Sequence, residues 1–381
     1  MQPREQPFYL KTTTILFGLV LFVYIITSLQ DILIPIAFAG VIGILLNPLV
    51  NRFHRNKIPK LLSILLGMLV GVLVIAGILY FLSSQIIRFG ETIPVLRAKF
   101  VELLHDLQQW LLDAFGIAAT RQVQILNNAL SSGQAMLGRT LGSVVGTIGL
   151  IFLIPVYVFM LLFYKPLILK FFYDVFEEYS RQVGQVLGQT KTAIQSYMVG
   201  LLIEAAIVAT LQSIALTILG VDYAILFGVI GGILNLLPYI GNIIATILPL
   251  LMATVTKEGY STHLGILAAY AFIQFLDNNI LVPRIVSSKV KINAFVSIVA
   301  VLLGGAAWGI PGLFLSIPFV AILKIIFDRV DGLKPWGKLL GDDVPGDYKG
   351  HLQRKVETEE SVAEDIVEDS KEPKDQKDPE N

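Results

Sequence analysis

A single acidic residue lies in the middle of a long uncharged segment. Glu204 is about 12 residues from the start of segment 192–219, whose other residues carry no charge. In a helix that spans a bilayer this carboxyl lies near mid-depth, where a charge is costly without a partner or access to water. Glu204 is therefore a candidate relay for protons or cations. The alternative is a neutral, hydrogen-bonded structural glutamic acid.

A second polar group lies at the end of another apolar segment. Gln274, Asp277 and Asn278 are spaced i, i+3 and i+4, which predicts that they share one face of a helix. Their oxygens and amides can coordinate a cation or hydrogen-bond a polyol. Asp277 can instead pair with Arg284 and fix the end of the helix, and both roles can hold together.

Two apolar segments are interrupted by residues that break helices. Segment 223–256 contains LPYIGN at 237–242, where Pro238, Gly241 and Asn242 follow Asn235. Broken backbone is tolerated in a membrane only where it faces protein or water, so such breaks can line a substrate path. A plain turn at the membrane surface needs the same residues.

The second break is GGAAWGIPG at 304–312, inside segment 292–323. Its glycines and proline supply a hinge or allow close helix packing, and its tryptophan closes a gate or anchors the turn at the interface. The candidate hinge and gate residues are Gly304, Gly305, Trp308, Pro311 and Gly312.

The composition indicates which elements hold these residues. Of 381 residues, 55% are hydrophobic and 15% charged, and the mean hydropathy is +0.71, which is typical of a polytopic membrane protein. The absence of cysteine excludes disulfides and thiol chemistry. We find no phosphate-binding P-loop, no H-E-x-x-H motif, no metal-ligand cluster and no nucleophile–base pair. The sequence therefore predicts no enzyme, no cofactor and no nucleic-acid binding.

The uncharged runs predict an all-α integral membrane protein with about eight apolar membrane regions, since about 20 apolar residues cross a bilayer. The regions are 12–29, 32–50, 61–87, 141–164, 192–219, 223–256, 264–282 and 292–323. The two broken regions have arms of roughly 13 to 16 residues, which are short for a perpendicular crossing. We interpret them as re-entrant hairpins, with tilted full spans as the alternative.

Basic residues predict the orientation. Arg52, Arg55, Lys57 and Lys60 follow the second region and lie in the cytoplasm by the positive-inside rule. Counting crossings from that loop places both termini in the cytoplasm. The two hairpins then enter from opposite faces, an arrangement that transporters use to build sites at the midplane.

Three segments are predicted outside the hydrocarbon core. Residues 88–140 form an external helical insert, with an apolar seam from Leu96 to Trp110, that packs on itself or makes an oligomer contact. Residues around Phe171 and Phe176 alternate with acids and fit a helix lying in the interface. Residues 341–381 carry a net charge of −8 with few aromatics, which predicts a disordered cytoplasmic tail.

Several motifs together resemble a known family. DNNILVPRIV at 277–286, LNLLPYIGN at 234–242, the break at 304–312 and the early run PIAFAGVIGILLNPLV resemble the autoinducer-2 exporter (AI-2E) family of permeases. The resemblance covers about residues 10–330: helices up to 87, the insert at 88–140 and a transport core at 141–330. It implies a bacterial inner-membrane transporter, expected to be homo-oligomeric. It also implies a small hydrophilic signalling solute or monovalent cation–proton exchange.

Two function classes follow. The first is a secondary transporter that exports a small hydrophilic, autoinducer-2-like solute, driven by H+ or Na+ or by the solute's own gradient; its variant is a monovalent cation/proton antiporter. The second is a membrane scaffold that recruits partners without transport. A buried acid such as Glu204 favours transport, because a scaffold gains nothing from it.

Overall fold

A computed structural model describes residues 7–115, 153–237, 240–286 and 292–342. Within these ranges the chain is helical, with no β-strand. The helices are α1 (Phe8–Ser28), α2 (Gln30–Arg55), α3 (Lys60–Phe115), α4 (Leu153–Phe163), α5 (Lys165–Val175), α6 (Ser180–Ile218), α7 (Ala224–Leu234), α8 (Ile240–Thr256), α9 (Ser261–Leu276), a π-helix (Asp277–Val286), α10 (Ala294–Arg329) and α11 (Lys334–Leu340).

The length and apolarity of these helices confirm an all-α polytopic membrane protein. In the part of the chain that the structure describes, five helices are long and apolar enough to cross a bilayer, and a sixth forms if α4 and α5 count as one bent span. One of the five, α10, is counted at its full length although it bends back at Gly309. Leu73, Leu79 and Tyr80 on α3 are among many large apolar side chains exposed at the surface. Lipid covers such side chains, because contact with water would leave an extensive apolar patch unburied.

The third predicted membrane region is part of a longer helix. α3 continues without a break from Lys60 to Phe115, so its 56 residues measure about 84 Å at helical rise. The first part of the predicted insert at 88–140 is therefore a direct extension of the spanning helix. The rest of the insert, the start of region 141–164 and the tail beyond 342 lie outside the described residues.

A tight interface joins α6 and α7. Gly228 lies against Ser213, and Gly232 lies against the Ala205 carbonyl and Ala209, so neither position has room for a Cβ. Small residues allow membrane helices to approach closely and pack by van der Waals contact. α6 ends in a Schellman motif at Gly220, whose φ of +66° lets the chain reverse into α7. This packing holds the end of α7 against the middle of α6.

The break in α10 is a hairpin. Gly309 has φ 61° and ψ −137°, a conformation that L side chains avoid. Gly304 and Gly312 contact each other through their backbones, whereas a continuous helix would separate them by about 12 Å. Asn293, at the start of α10, donates to the backbone carbonyls of residues 339 and 341. The two arms therefore run antiparallel, as the sequence predicted.

The other predicted hairpin consists of α7 and α8, with 11 and 17 residues. Gly241 lies against the Leu234 carbonyl, so the two helices are in contact at the break. A buried apolar core joins them to α6 and α9, with Leu216, Phe227, Ala245 and Ile266 among its members.

Candidate functional site

Three elements of the fold bring two acidic side chains together. Glu204 is on the buried face of α6 and is 5% exposed, and Asp277 begins the π-helix and is 4% exposed. The third element is the end of α7, where Asn235 follows the last helical residue. These three residues are far apart in the sequence and meet because α7 packs closely on α6.

Asn235 bridges the two carboxyl groups. Its Nδ2 donates to Glu204 Oε1 at 3.1 Å and to Asp277 Oδ2 at 3.3 Å. The backbone after α7 forms tight turns around Asn235. The Leu236 N–H donates to the Ile233 carbonyl and the Leu237 N–H to the Leu234 carbonyl, each three residues back. The break in segment 223–256 thus places an amide between the two acids, and both N–H bonds of that amide are used.

The acidic pair has no cationic partner among the residues that the structure describes. Neither Glu204 nor Asp277 forms an ion pair with any Lys, Arg or His that the structure describes. Glu204 Oε2 and Asp277 Oδ1 are buried and have no hydrogen-bond partner within the described ranges. The two carboxyl groups are also close to each other, because Glu204 Oε1 and Asp277 Oδ2 accept from the same nitrogen. Two buried like charges are unfavourable, so this site favours uptake of a proton or a small cation.

Asp277 does not join its polar neighbours Gln274 and Asn278. Gln274 Nε2 donates to Asn278 Oδ1 at 3.1 Å, and Asn278 is exposed while Asp277 points into the core. Arg284 is exposed and makes no ion pair with an acid in the described part of the chain. Asp277 therefore bonds across helices to Asn235 instead of pairing with Arg284. π-helical turns often occur at functional sites.

The remaining residues of the first break flank this site. Gly241 is buried against α7, and the Asn242 carbonyl accepts a hydrogen bond from Thr246 Oγ1 at 2.8 Å. Pro238 lies outside the described residues.

The second hairpin connects to the first helix. Trp308 Nε1 donates to the Ile26 carbonyl at 3.1 Å, in the last turn of α1, where helical carbonyls have no partner of their own. Trp308 also packs edge-on against Phe319. Gly304 and Gly312 provide the close contact between the arms, Gly305 faces Leu313, and Pro311 lies in the first turn of the second arm. Leu315 on this arm packs with Tyr197 and Leu201 of α6, close to Glu204.

Sequence reasoning missed three buried polar residues in line with the acidic pair. Gln212 is two turns beyond Glu204 on α6 and is 2% exposed. Tyr270 is two turns before Asp277 on α9 and is 3% exposed. Gln212 Oε1 and Tyr270 Oη have no partner among the described residues. Tyr197, two turns before Glu204, is buried near it. Their spacing of seven or eight from the two acids is the signal that could have found them.

Comparison with known proteins points to one family. The family model described as AI-2E family transporter matches residues 14–332. The chain is 27% identical to the AI-2 transport protein TqsA of Escherichia coli (strain K12) over 338 residues, which cover 87% of this chain and 96% of TqsA. It is 26% identical to YrrI of Bacillus subtilis (strain 168), over 78% of this chain and 86% of YrrI. It is 27% identical to PerM of Escherichia coli (strain K12), over 69% of this chain and 77% of PerM.

Proposed function

The chain belongs to the AI-2E transporter family, and from that premise we propose that it is a secondary transporter that exports a small hydrophilic solute. The observation that carries the proposal is the buried pair Glu204 and Asp277, which Asn235 bridges and which has no ion pair with any cationic side chain in the described ranges. Ionisable groups inside a membrane protein mark ion paths and proton relays, because they are too costly to keep without a use.

The site links ion binding to helix position. A proton or monovalent cation on the pair offsets the repulsion between the two carboxylates, and its release restores that repulsion. The three residues belong to α6, to the break after α7 and to the π-helix, so a change in their charge acts on the contacts between these elements. An ion can drive a conformational change only to the extent that it binds the two states differently.

The solute is proposed from chemistry and from one relative. TqsA carries the name of an AI-2 transport protein, and an autoinducer-2-like polyol is our candidate solute for this chain. Asn242, Gln274 and Asn278 supply the amides and carbonyls that a polyol would hydrogen-bond. The glycines at 304 and 312 with Trp308 serve as hinge and gate.

A monovalent cation/proton antiporter is the second candidate. The acidic pair favours it, because both side chains offer oxygen ligands, which suit Na+ as well as a proton. A scaffold of the membrane without transport activity is the alternative from another class.

We place the protein in the inner membrane as a homo-oligomer with both termini in the cytoplasm. Impermeant labelling of single cysteines at residues 222 and 257 from outside tests the orientation, and labelling from the cytoplasmic side would contradict it.

Transport by purified protein in sealed vesicles tests the function. Efflux of a labelled autoinducer-2-like polyol and movement of protons or Na+ are measured in the same vesicles under an imposed pH or Na+ gradient. Glu204→Gln should abolish the ion dependence while the protein still inserts and folds. Glu258→Gln is the matched control, because Glu258 is exposed in the loop before α9. Cation exchange without polyol flux would select the antiporter, and no flux of any kind would leave the scaffold.

A further inference from the structure

A basic cavity shares no lining residue with the acidic pair or its bridging Asn235. It has a volume of about 330 Å³ and is formed where α2, the start of α3 and the junction of α4 with α5 meet. Its polar lining consists of Lys60, Lys165, His54, Asn47 and Asn51, and none of its lining residues is acidic.

The donors of this cavity are fixed in place by neutral partners. Lys165 Nζ donates to Asn47 Oδ1 at 3.0 Å, and Lys60 Nζ donates to the Phe163 carbonyl at 2.7 Å. Asn47 is 5% exposed, and its Nδ2 is buried without a partner in the described part of the chain. Lys60 and Lys191 are both close enough to act on the charge of Lys165. The cavity therefore concentrates positive charge and an unused N–H donor, and no carboxylate among its described lining residues balances them.

The helix beside the cavity indicates its depth in the membrane. α5 bends by 61° from α4 at Lys165, and none of its residues is buried. Its apolar side chains Leu167, Phe171 and Val175 are exposed. A helix with such a face lies in the plane of the interface, with its apolar side in the boundary between headgroups and acyl chains. The cavity at the start of α5 is thus at the level of lipid headgroups.

We propose that this cavity binds the phosphate of an anionic phospholipid headgroup, whose acyl chains lie along the apolar face of α5. Lys60 and Lys165 provide charge, and Asn47 Nδ2 provides a hydrogen bond to a phosphate oxygen. Basic pockets between membrane helices recognise anionic headgroups in this way. A bound lipid would also fix the bend between α4 and α5, because it contacts residues on both sides of Lys165.

Native mass spectrometry of the full-length protein tests the proposal. The purified protein is incubated with equal amounts of phosphatidylglycerol and phosphatidylcholine, and retained lipids are counted. We expect selective retention of phosphatidylglycerol. Lys165→Gln and Lys60→Gln should each weaken it about fivefold, the equivalent of about 1 kcal/mol for one lysine near an anionic lipid. Lys170→Gln is the matched control, because Lys170 is exposed on the same helix and does not line the cavity.

Three outcomes would overturn the proposal. The first is equal retention of the two lipids, and the second is an effect of Lys170→Gln as large as that of the cavity variants. The third is displacement of phosphatidylglycerol by millimolar inorganic phosphate, which would assign the site to a free anion. If Lys165→Gln fails to fold, lipid retention by Lys60→Gln decides the test. Lys60→Gln leaves the bond between Lys165 and Asn47 in place, and the only hydrogen bond of Lys60 Nζ in the described structure is to a backbone carbonyl.

Discussion

Removal of the amide that bridges the acidic pair is the sharpest test of the site. In Asn235→Leu the size of the side chain is kept and both N–H donors are lost, so Glu204 and Asp277 face each other without a bridge. The two bonds are 3.1 and 3.3 Å long, slightly longer than the usual 2.9–3.0 Å. Hydrogen bonds to charged groups contribute about 1.5–3 kcal/mol, and these lengths favour the lower end, for a total of about 3 kcal/mol.

The loss should appear in both stability and transport. One kcal/mol shifts Tm by about 1–2 °C in a chain of this size, so a loss of about 3 kcal/mol should lower Tm by about 3–6 °C. Thermal unfolding is followed by tryptophan fluorescence, and ion-coupled flux is measured in sealed vesicles. The fall in Tm should be largest at alkaline pH, because acid protonates the carboxyl groups and removes the repulsion that the amide offsets. Ion-coupled flux should be lost at a temperature where the protein is still folded.

A matched variant makes the result interpretable. Asn279 is on the π-helix that contains Asp277, is exposed, and donates only to the Phe275 carbonyl among the described residues. Asn279→Leu should change the free energy of unfolding by no more than about 0.5 kcal/mol, as exposed substitutions usually do. The bridging role of Asn235 is refuted if Asn235→Leu keeps its Tm and its ion-coupled flux, or if Asn279→Leu loses as much of both as Asn235→Leu does.

Three further predictions concern the elements that hold the site. Gly232→Leu should destabilise by about 1–3 kcal/mol or more, because its side chain would meet the Ala205 carbonyl of α6, and a lower Tm should show it. Gly309→Ala should cost about 1–3 kcal/mol through its backbone conformation and be seen as a lower Tm. Truncation after residue 342 should leave folding and transport intact, because the shortened chain keeps the hydrogen bond from Asn293 to the Gly341 carbonyl. Solute and ion flux in vesicles measures the transport.

The same experiments have internal controls. Gly18→Leu and Gly77→Ala lie where a Cβ meets nothing within 4 Å, so both should keep the wild-type Tm. If Gly232→Leu behaves like Gly18→Leu, the α6–α7 contact is looser than described. An unchanged Tm in Gly309→Ala would show that the hairpin tolerates another backbone path. A tail-less protein that inserts normally yet fails to transport would make the tail part of the mechanism.

The sequence alone determined the fold class and the positions of the breaks. Long uncharged runs are sufficient to predict spanning helices, because the bilayer penalises every charge and every unpaired backbone group inside it. The same penalty made Glu204 stand out. The glycines around position 309 predicted the hairpin in α10, because few other residues adopt the conformation that such a reversal requires. These features are local, so no knowledge of distant contacts was needed.

Only the tertiary structure decided how the polar residues pair. The spacing of Gln274, Asp277 and Asn278 predicted one shared face. Gln274 and Asn278 do bond to each other, but Asp277 is buried and bonds to Asn235. Asn235 is 31 residues from Glu204 and 42 residues from Asp277, the two acids to which it donates. No local spacing reports which residue of another helix lies opposite. That choice depends on how closely α7 approaches α6. The glycines of α7 allow the close approach because they have no side chain.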